Sequence, residues 1–132
     1  MELTDAFPPF GLRIEAGPLV LRPITDEVLP ELIGVALAGV HDPESMPFTS
    51  PWTDAPADQL PFNYVQYHWG LRSNWSRDRW SLEFAVEHEG RIVGCQGFVT
   101  HNYLVTRSGE PGSWLGHGFH GRGIGTAMRQ AL

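Results

Sequence analysis

A glycine-rich run near the end of the chain constrains the fold more than any other feature. Residues 113–116 predict a short strand, residues 117–125 form the run, and residues 126–132 predict a helix. Because glycine lacks a Cβ, the backbone N–H groups of such a turn can point together at one anion, and the helix that follows adds the positive end of its dipole. The run therefore predicts a phosphate or pyrophosphate site, to which the Arg122 guanidinium and the Thr126 hydroxyl add two further donors.

The same glycines also fit two other interpretations. Gly116, Gly118 and Gly121 match the G-x-G-x-x-G fingerprint of dinucleotide-binding folds. That fingerprint follows the first strand of a βαβ unit and precedes an acidic residue by about 20 positions. Here no βαβ unit precedes it, and only eleven residues follow Gly121. The remaining interpretation is a glycine-rich turn without a ligand.

Charge and cysteine content narrow the function classes. All nine basic residues are arginines, which excludes a P-loop lysine, a Schiff base with pyridoxal phosphate and a lysine general base. The net charge of −6 argues against nonspecific nucleic-acid binding, and no apolar run approaches the roughly 18 residues of a membrane span. The single cysteine, Cys95, permits no internal disulfide and no zinc cluster, and it favours a reducing cytoplasm.

Hydrophobic periodicity predicts the order β, α, α and β-meander before the glycine-rich turn. Residues 1–10 are predicted as an irregular lead-in and residues 11–132 as one domain. The predicted elements are a strand at 19–22, helices at 26–38 and 59–75, a hairpin of strands at 80–87 and 92–100, and a third strand at 103–107. The proline-rich segment 39–61 is long for a connection, which is typical of a binding loop or lid.

The residues around the glycine-rich turn resemble a known family. The run 120–127 resembles motif A of the GNAT superfamily of acyl-CoA N-acyltransferases, which reads Q/R-x-x-G-x-G/A at the start of a helix. Gly123 and Gly125 occupy its two small positions, and His120 stands where Gln or Arg is usual. Three further segments are similar to elements of the RimJ/RimL-like branch, the ribosomal-protein N-acetyltransferases. Residues 19–26 resemble its first strand and helix start, residues 91–94 with 96–97 its third strand, and residues 112–115 its fourth strand.

This resemblance implies a fold and a reaction. The fold is α/β (α+β), with a mixed, mostly antiparallel sheet and helices on both faces. The reaction is transfer of an acetyl group from acetyl-CoA, the cosubstrate, to an amine, either a protein N-terminus or a small amine, without a metal. The cofactor-binding residues that the resemblance implies are Trp114, Leu115, Gly116, His120, Gly121, Arg122, Gly123, Ile124, Gly125 and Thr126.

The candidate catalytic residues are Glu83 and His101. Glu83 lies on the predicted hairpin strand and could bind the amine or act as a base through a water; a solvated strand carboxylate is the other interpretation. His101 could titrate near neutrality, although a surface histidine at a strand end fits equally well. His117 and His120 lack a third ligand nearby, so no metal site is predicted. Residues predicted to line the acceptor site or to pack in the core are Trp52, Tyr64, Tyr67, His68 and Trp69.

The end of the chain suggests a longer parent protein. The family's domain continues past motif A with a fifth strand, a helix and two more strands, and the last helix here carries no stop signal. The chain is therefore expected to be the N-terminal two thirds of the domain, with the activity of these 132 residues alone left open. The alternative is a noncatalytic acyl-CoA-binding or interaction module, whose open sheet edge is completed by a partner strand or by a second copy in a homodimer.

Overall fold

Five antiparallel strands form one sheet, and their order across the sheet follows their order along the chain. The computed structural model describes all residues from Met1 to Leu132. The strands are β1 (Ile14–Ala16), β2 (Leu19–Pro23), β3 (Arg79–His88), β4 (Arg91–His101) and β5 (Glu110–Leu115). The helices are α1 (Leu3–Ala6), α2 (Leu29–Leu37), α3 (Leu60–Ser73), α4 (Tyr103–Thr106) and α5 (Ile124–Ala131). None of these helices has the length and hydrophobicity needed to cross a membrane.

One face of the sheet is covered by α2 and α3. Leu29, Leu32 and Ala36 are buried on α2 at spacings of three and four residues, which places them on one side of a helix. They join Tyr64 of α3 and Ala85 of β3 in one hydrophobic core cluster. The apolar face of each helix is therefore what fixes it on the sheet.

The opposite face is covered by α5. Ile124 and Met128, four residues apart, are both buried. They pack with Leu21, Val86 and Leu115 in a second core cluster. The predicted mostly antiparallel sheet with helices on both faces is confirmed, and all four strand pairs are antiparallel. This second core cluster holds α5 and β5 side by side.

Truncating the centre of the first cluster should destabilise the domain. The Leu32 side chain is fully buried, so Leu32→Ala should lower the free energy of unfolding by about 2–5 kcal/mol through lost burial and the cavity left behind. Leu37 lies on the same helix and is 46% exposed, so Leu37→Ala should change it by no more than about 0.5 kcal/mol. Urea unfolding of both variants measures the difference. Equal losses would contradict this assignment of the core.

The predicted strand at 103–107 is wrong, because this segment forms the short helix α4. Asn102 and Arg107 bracket it with φ of 52° each, a left-handed conformation that interrupts an extended chain. The Val105 N–H donates to the Asn102 carbonyl at 2.9 Å, and the Thr106 hydroxyl donates to the His101 carbonyl at 3.3 Å. These local hydrogen bonds replace the ladder that a strand would need.

The N-terminal part of the chain is more ordered than predicted. The lead-in 1–10 contains α1, where the Glu2 N–H donates to Asp5 Oδ2 at 2.9 Å, and a 3₁₀ turn at Pro8–Gly11. Strand β1 was not predicted from the sequence. It pairs with β2, and a tight turn at Gly17, whose φ is 57°, connects the two strands. The first predicted helix begins at Leu29, three residues later than predicted, and Pro30 lies in its first turn.

The strand register determines which side chains meet on the α2–α3 face. Glu83 of β3 lies opposite Gly97 of β4, which in turn lies opposite Gly112 of β5. Cys95, two residues before Gly97, lies opposite Trp114. Because side chains alternate along a strand, these positions share one face of the sheet. The pairing thus brings a carboxyl, a thiol and an indole from three strands into one neighbourhood.

Candidate active site

The glycine-rich turn opens helix α5 without a side-chain cap. Gly121 and Gly123 have φ of 75° and 79°, a left-handed conformation that glycine adopts without the steric cost of a Cβ. Gly123 is the N-cap of α5, and no side chain hydrogen bonds to the first turn there. The N–H groups of that turn are therefore available to an anion, with the positive end of the helix dipole behind them.

A groove of about 600 Å³ runs beside this turn. One wall is the long segment between α2 and α3, which contributes His41 and Phe48, and the other is the β5–α5 connection. The His117 N–H donates to the Gly39 carbonyl at 2.8 Å, which joins the two walls. His41 Nε2 lies 2.7 Å from Thr53 Oγ1 and holds the long segment in shape. The segment predicted as a binding loop thus forms one side of a groove.

Most of the predicted cofactor-binding residues line this groove. They are Trp114, Leu115, His120, Gly121, Gly123, Gly125 and Thr126. Three others do not. Ile124 is buried in the core, a Cβ at Gly116 would lie 2.8 Å from Val35 Cγ1, and the Arg122 guanidinium lies 5.9 Å from the centre of the Phe119 ring. The turn therefore contributes mainly backbone to the groove.

Arg129, which is not among the residues predicted from the sequence, brings a positive charge to the groove. It lies on α5, four residues after Gly125, and both residues line the groove. Residues four apart share a helix face, so this spacing is the signal that could have identified it. Arg129 is therefore a stronger candidate than Arg122 for contact with an anion.

His120 joins the turn to the edge of the sheet. Its Nε2 lies 2.9 Å from the carbonyl oxygen of Leu115 on β5. Because a carbonyl only accepts hydrogen bonds, Nε2 donates and must carry the proton. This bond fixes the start of the glycine-rich turn against the last residue of β5.

A second cavity, of about 280 Å³, adjoins the groove. Phe48, Ser113 and Trp114 line both spaces. Glu83 and Cys95 contribute to the second cavity from β3 and β4. Four of the residues predicted for the acceptor site also line it: Trp52, Tyr64, Tyr67 and His68. The two spaces therefore meet at the end of β5, beside Trp114.

The carboxyl of Glu83 is the one acidic group in this cavity. The Cys95 thiol donates to Glu83 Oε2 at 3.4 Å. Burial raises the pKa of the Glu83 carboxyl to about 7, against a smaller lowering by this hydrogen bond. Burial also raises the pKa of the Cys95 thiol, so it stays protonated and acts as the donor. Glu83 can thus accept and release a proton near neutrality.

Gly97 provides the space in which the Glu83 carboxyl lies. A Cβ built on Gly97 would collide with the carboxyl carbon and both oxygens of Glu83. Gly97→Ala should therefore push the carboxyl aside and lower the free energy of unfolding by about 1 kcal/mol, at the low end for an overpacked site because the group that moves is the end of a flexible side chain. Gly112 is the register partner of Gly97 on the neighbouring strand β5, and a Cβ built on Gly112 has no other atom within 4 Å. Gly112→Ala is the matched control, and chemical unfolding of both variants measures the difference in stability. Equal stability of the two variants would contradict the packing of the Glu83 carboxyl against Gly97.

The other ionisable groups of the cavity stay neutral at pH 7. Burial lowers the pKa of His68 to about 4, and the positive charge of Arg72 adds to this lowering. Burial raises the pKa of Tyr64 and of Tyr67. The Tyr64 hydroxyl is buried without a hydrogen-bond partner. Glu83 is therefore the group whose charge changes near neutral pH.

Two predicted site residues lie elsewhere. His101 is exposed at the end of β4, opposite Arg79, and lines neither the groove nor the cavity. Trp69 is 54% exposed and donates its indole N–H to Asp26 Oδ1 at 3.0 Å, outside the cavity. The structure thus brings Glu83 to the site and leaves His101 apart from it.

The acetyltransferase (GNAT) domain family matches residues 18–132 of this chain. The chain is also similar in fold to solved acetyltransferase structures. One is RimL, the ribosomal L7/L12 alpha-N-protein acetyltransferase, in complex with coenzyme A, with 16% identity and a TM-score of 0.67 over 92% of this chain. Another is Mycobacterium smegmatis RimJ in complex with CoA-disulfide, with 22% identity and a TM-score of 0.66 over 91% of this chain.

A third similar structure is the microcin C7 self-immunity acetyltransferase MccE in complex with acetyl-CoA and AMP, with 16% identity and a TM-score of 0.58 over 88% of this chain. This chain covers 65% of the RimL chain, 57% of the RimJ chain and 61% of the MccE chain. It therefore spans less than two thirds of the length of these three proteins, and at these identities the similarity concerns the fold.

Proposed function

The chain belongs to the acetyltransferase (GNAT) domain family, and we propose from this membership that it binds acetyl-CoA and transfers the acetyl group to an amine. One observation carries the proposal: the groove beside the glycine-rich turn and the cavity that holds Glu83 meet at Trp114. An acyl donor in the groove and an amine in the cavity would then be neighbours. Such proximity is a large part of what an acyl-transfer site must provide.

The groove offers what a pyrophosphate needs. The backbone N–H groups at the start of α5, the helix dipole and the Arg129 guanidinium all favour a negative charge at one place. The glycines at 121 and 123 keep side chains out of that place. Bound acetyl-CoA would supply the thioester that is the acyl donor. The RimL, RimJ and MccE structures hold CoA, a CoA disulfide or acetyl-CoA, which supports the same cosubstrate here.

The Glu83 carboxylate is proposed as the general base. An amine is protonated at neutral pH and must lose a proton before its nitrogen can attack a carbonyl carbon. With a pKa of about 7, Glu83 is sufficiently ionised at neutral pH to take that proton and still basic enough to hold it. The His68 ring beside it is a weaker base than Glu83, because burial lowers the pKa of His68 to about 4, and the Tyr64 hydroxyl stays protonated because burial raises its pKa.

A titration of this chain with acetyl-CoA tests the cosubstrate assignment. Isothermal calorimetry should show that acetyl-CoA binds at least about tenfold more tightly than S-acetylpantetheine, which has the thioester but no pyrophosphate. Equal affinities would contradict the anion site at the start of α5. A noncatalytic acyl-CoA-binding module is not favoured, because the family match is to an acetyltransferase domain. Cytoplasmic location and homodimerisation stay predictions.

A further inference from the structure

The walls of the Glu83 cavity are aromatic and already packed against one another. The ring centres of Trp52 and Trp114 lie 5.5 Å apart, those of Trp52 and Tyr64 5.7 Å, and those of Phe48 and Trp52 5.4 Å. Rings at these separations support each other in fixed positions. The cavity is therefore lined by aromatic side chains that hold one another in place, which suits an acceptor with an apolar, aromatic body.

The charged groups of the cavity lining favour a cation over an anion. Glu83 is the one acidic residue in its lining, and none of the nine arginines contributes to it. His68 cannot serve as a cation at neutral pH. A carboxylate entering with the amine would lie near Glu83 with no positive partner, at a cost that low polarity increases. Trp52, Trp114 and Tyr64 also line the cavity, and an aromatic lining attracts an ammonium group that lies over a ring face.

The size of the cavity limits the acceptor. The cavity volume of about 280 Å³ lies just below the range for small-molecule sites, which is roughly 300–1,000 Å³. A small molecule with one ring and a short alkyl arm suits such a volume, whereas several residues of a peptide need an extended groove. The cavity is therefore matched to a compact acceptor.

We propose that the acceptor is a small primary amine with an aromatic body and no carboxylate, held by the aromatic walls with its nitrogen at Glu83. This inference rests on the proposed function, since it names the acceptor class of that same site. In the proposed reaction, the ammonium group of the acceptor gives one proton to Glu83, and the neutral nitrogen then forms the bond to the acetyl carbon. The carbon–sulfur bond breaks, the CoA sulfur leaves with its electron pair, and the second proton that the nitrogen loses goes to that sulfur. The products are an N-acetylated amine and CoA.

Calorimetric binding of three probes to this chain, at pH 8 and without acetyl-CoA, tests the inference. The probes are 2-phenylethylamine, L-phenylalanine, which adds a carboxylate, and 2-phenylethanol, which lacks the amine. 2-Phenylethylamine should bind at least about tenfold more tightly than either of the others. Glu83→Gln should remove most of this preference, with thermal unfolding as the check that the variant folds. Equal or tighter binding of L-phenylalanine would overturn the inference, as would an unchanged preference in Glu83→Gln.

Two further outcomes complete the test. Tighter binding of a tripeptide amide than of 2-phenylethylamine would overturn the inference on size, and so would failure of 2-phenylethylamine to bind at all. Because these titrations contain no acetyl-CoA, their outcome is independent of the acetyl-CoA titration. If the amine probes bind selectively but acetyl-CoA does not bind, the proposed function is contradicted. If acetyl-CoA binds but the probes bind without selectivity, only the acceptor class is contradicted.

Discussion

Replacing Gly123 with valine should lower the affinity of the chain for acetyl-CoA by at least about a hundredfold. Gly123 has φ of 79° and caps α5 at the proposed pyrophosphate site. A β-branched side chain there forces the backbone out of its left-handed conformation and also occupies the space in front of the first-turn N–H groups. Both effects remove aligned donors from the anion, and isothermal calorimetry measures the loss.

Gly90 offers a matched control for the backbone effect. Its φ is 77°, and its built Cβ, like that of Gly123, has nothing within 4 Å. Gly90 lies in the turn between β3 and β4, outside the lining of the groove. Gly90→Val therefore brings a similar strain without touching the anion site, and its acetyl-CoA affinity should match that of the unmodified chain. Equal losses in the two variants would show that backbone strain alone explains the effect.

Replacing Glu83 with glutamine should lower the rate of acetyl transfer by about 10²–10⁴-fold, the range that a positioned general base contributes. The substitution keeps the shape of the side chain and removes its basicity. Glu110→Gln on β5 is the control, because Glu110 is exposed and lines neither the groove nor the cavity. Thiol release from acetyl-CoA in the presence of an amine measures both variants, and comparable rates in the two would contradict the role of Glu83.

The pH dependence gives a second test of the same residue. Burial raises the pKa of the Glu83 carboxyl to about 7, so the base is protonated below this pH and ionised above it. The rate should therefore rise with pH and level off above about pH 7. The groups that face Glu83 are Cys95 from β4 and Tyr64, Tyr67 and His68 from α3; burial raises the pKa of the thiol and of both phenols and lowers that of the imidazole to about 4. A rate independent of pH between 5 and 9 would contradict the assignment.

The sequence allowed the parts of the site that depend on local patterns to be predicted. The glycine spacing predicted the turn that opens α5, which is the proposed anion site, and strand alternation predicted that Glu83 lies on the β3 hairpin strand. The packing of the Glu83 carboxyl against Gly97 could not be predicted, because it depends on the register between β3 and β4. The same holds for the meeting of groove and cavity at Trp114, since three separate segments of the chain have to come together there.

The errors in the fold have a related cause. The segment that forms α4 has β-branched and aromatic residues that favour a strand, but left-handed residues at Asn102 and Arg107 and local hydrogen bonds close it into a helical turn. Residue type alone makes His101 a candidate base, whereas catalysis also requires a place in the site, and its exposed position at the end of β4 does not provide one.

Detection of the acetylated product tests the central claim most directly. This chain is incubated with acetyl-CoA and 2-phenylethylamine, and the mixture is analysed by mass spectrometry for the N-acetylated amine. The account predicts that this product accumulates with the unmodified chain, together with an equal amount of free CoA, and falls to background with Gly123→Val and Glu83→Gln. Binding of both molecules without any product across a panel of amines would contradict acetyl transfer by these residues.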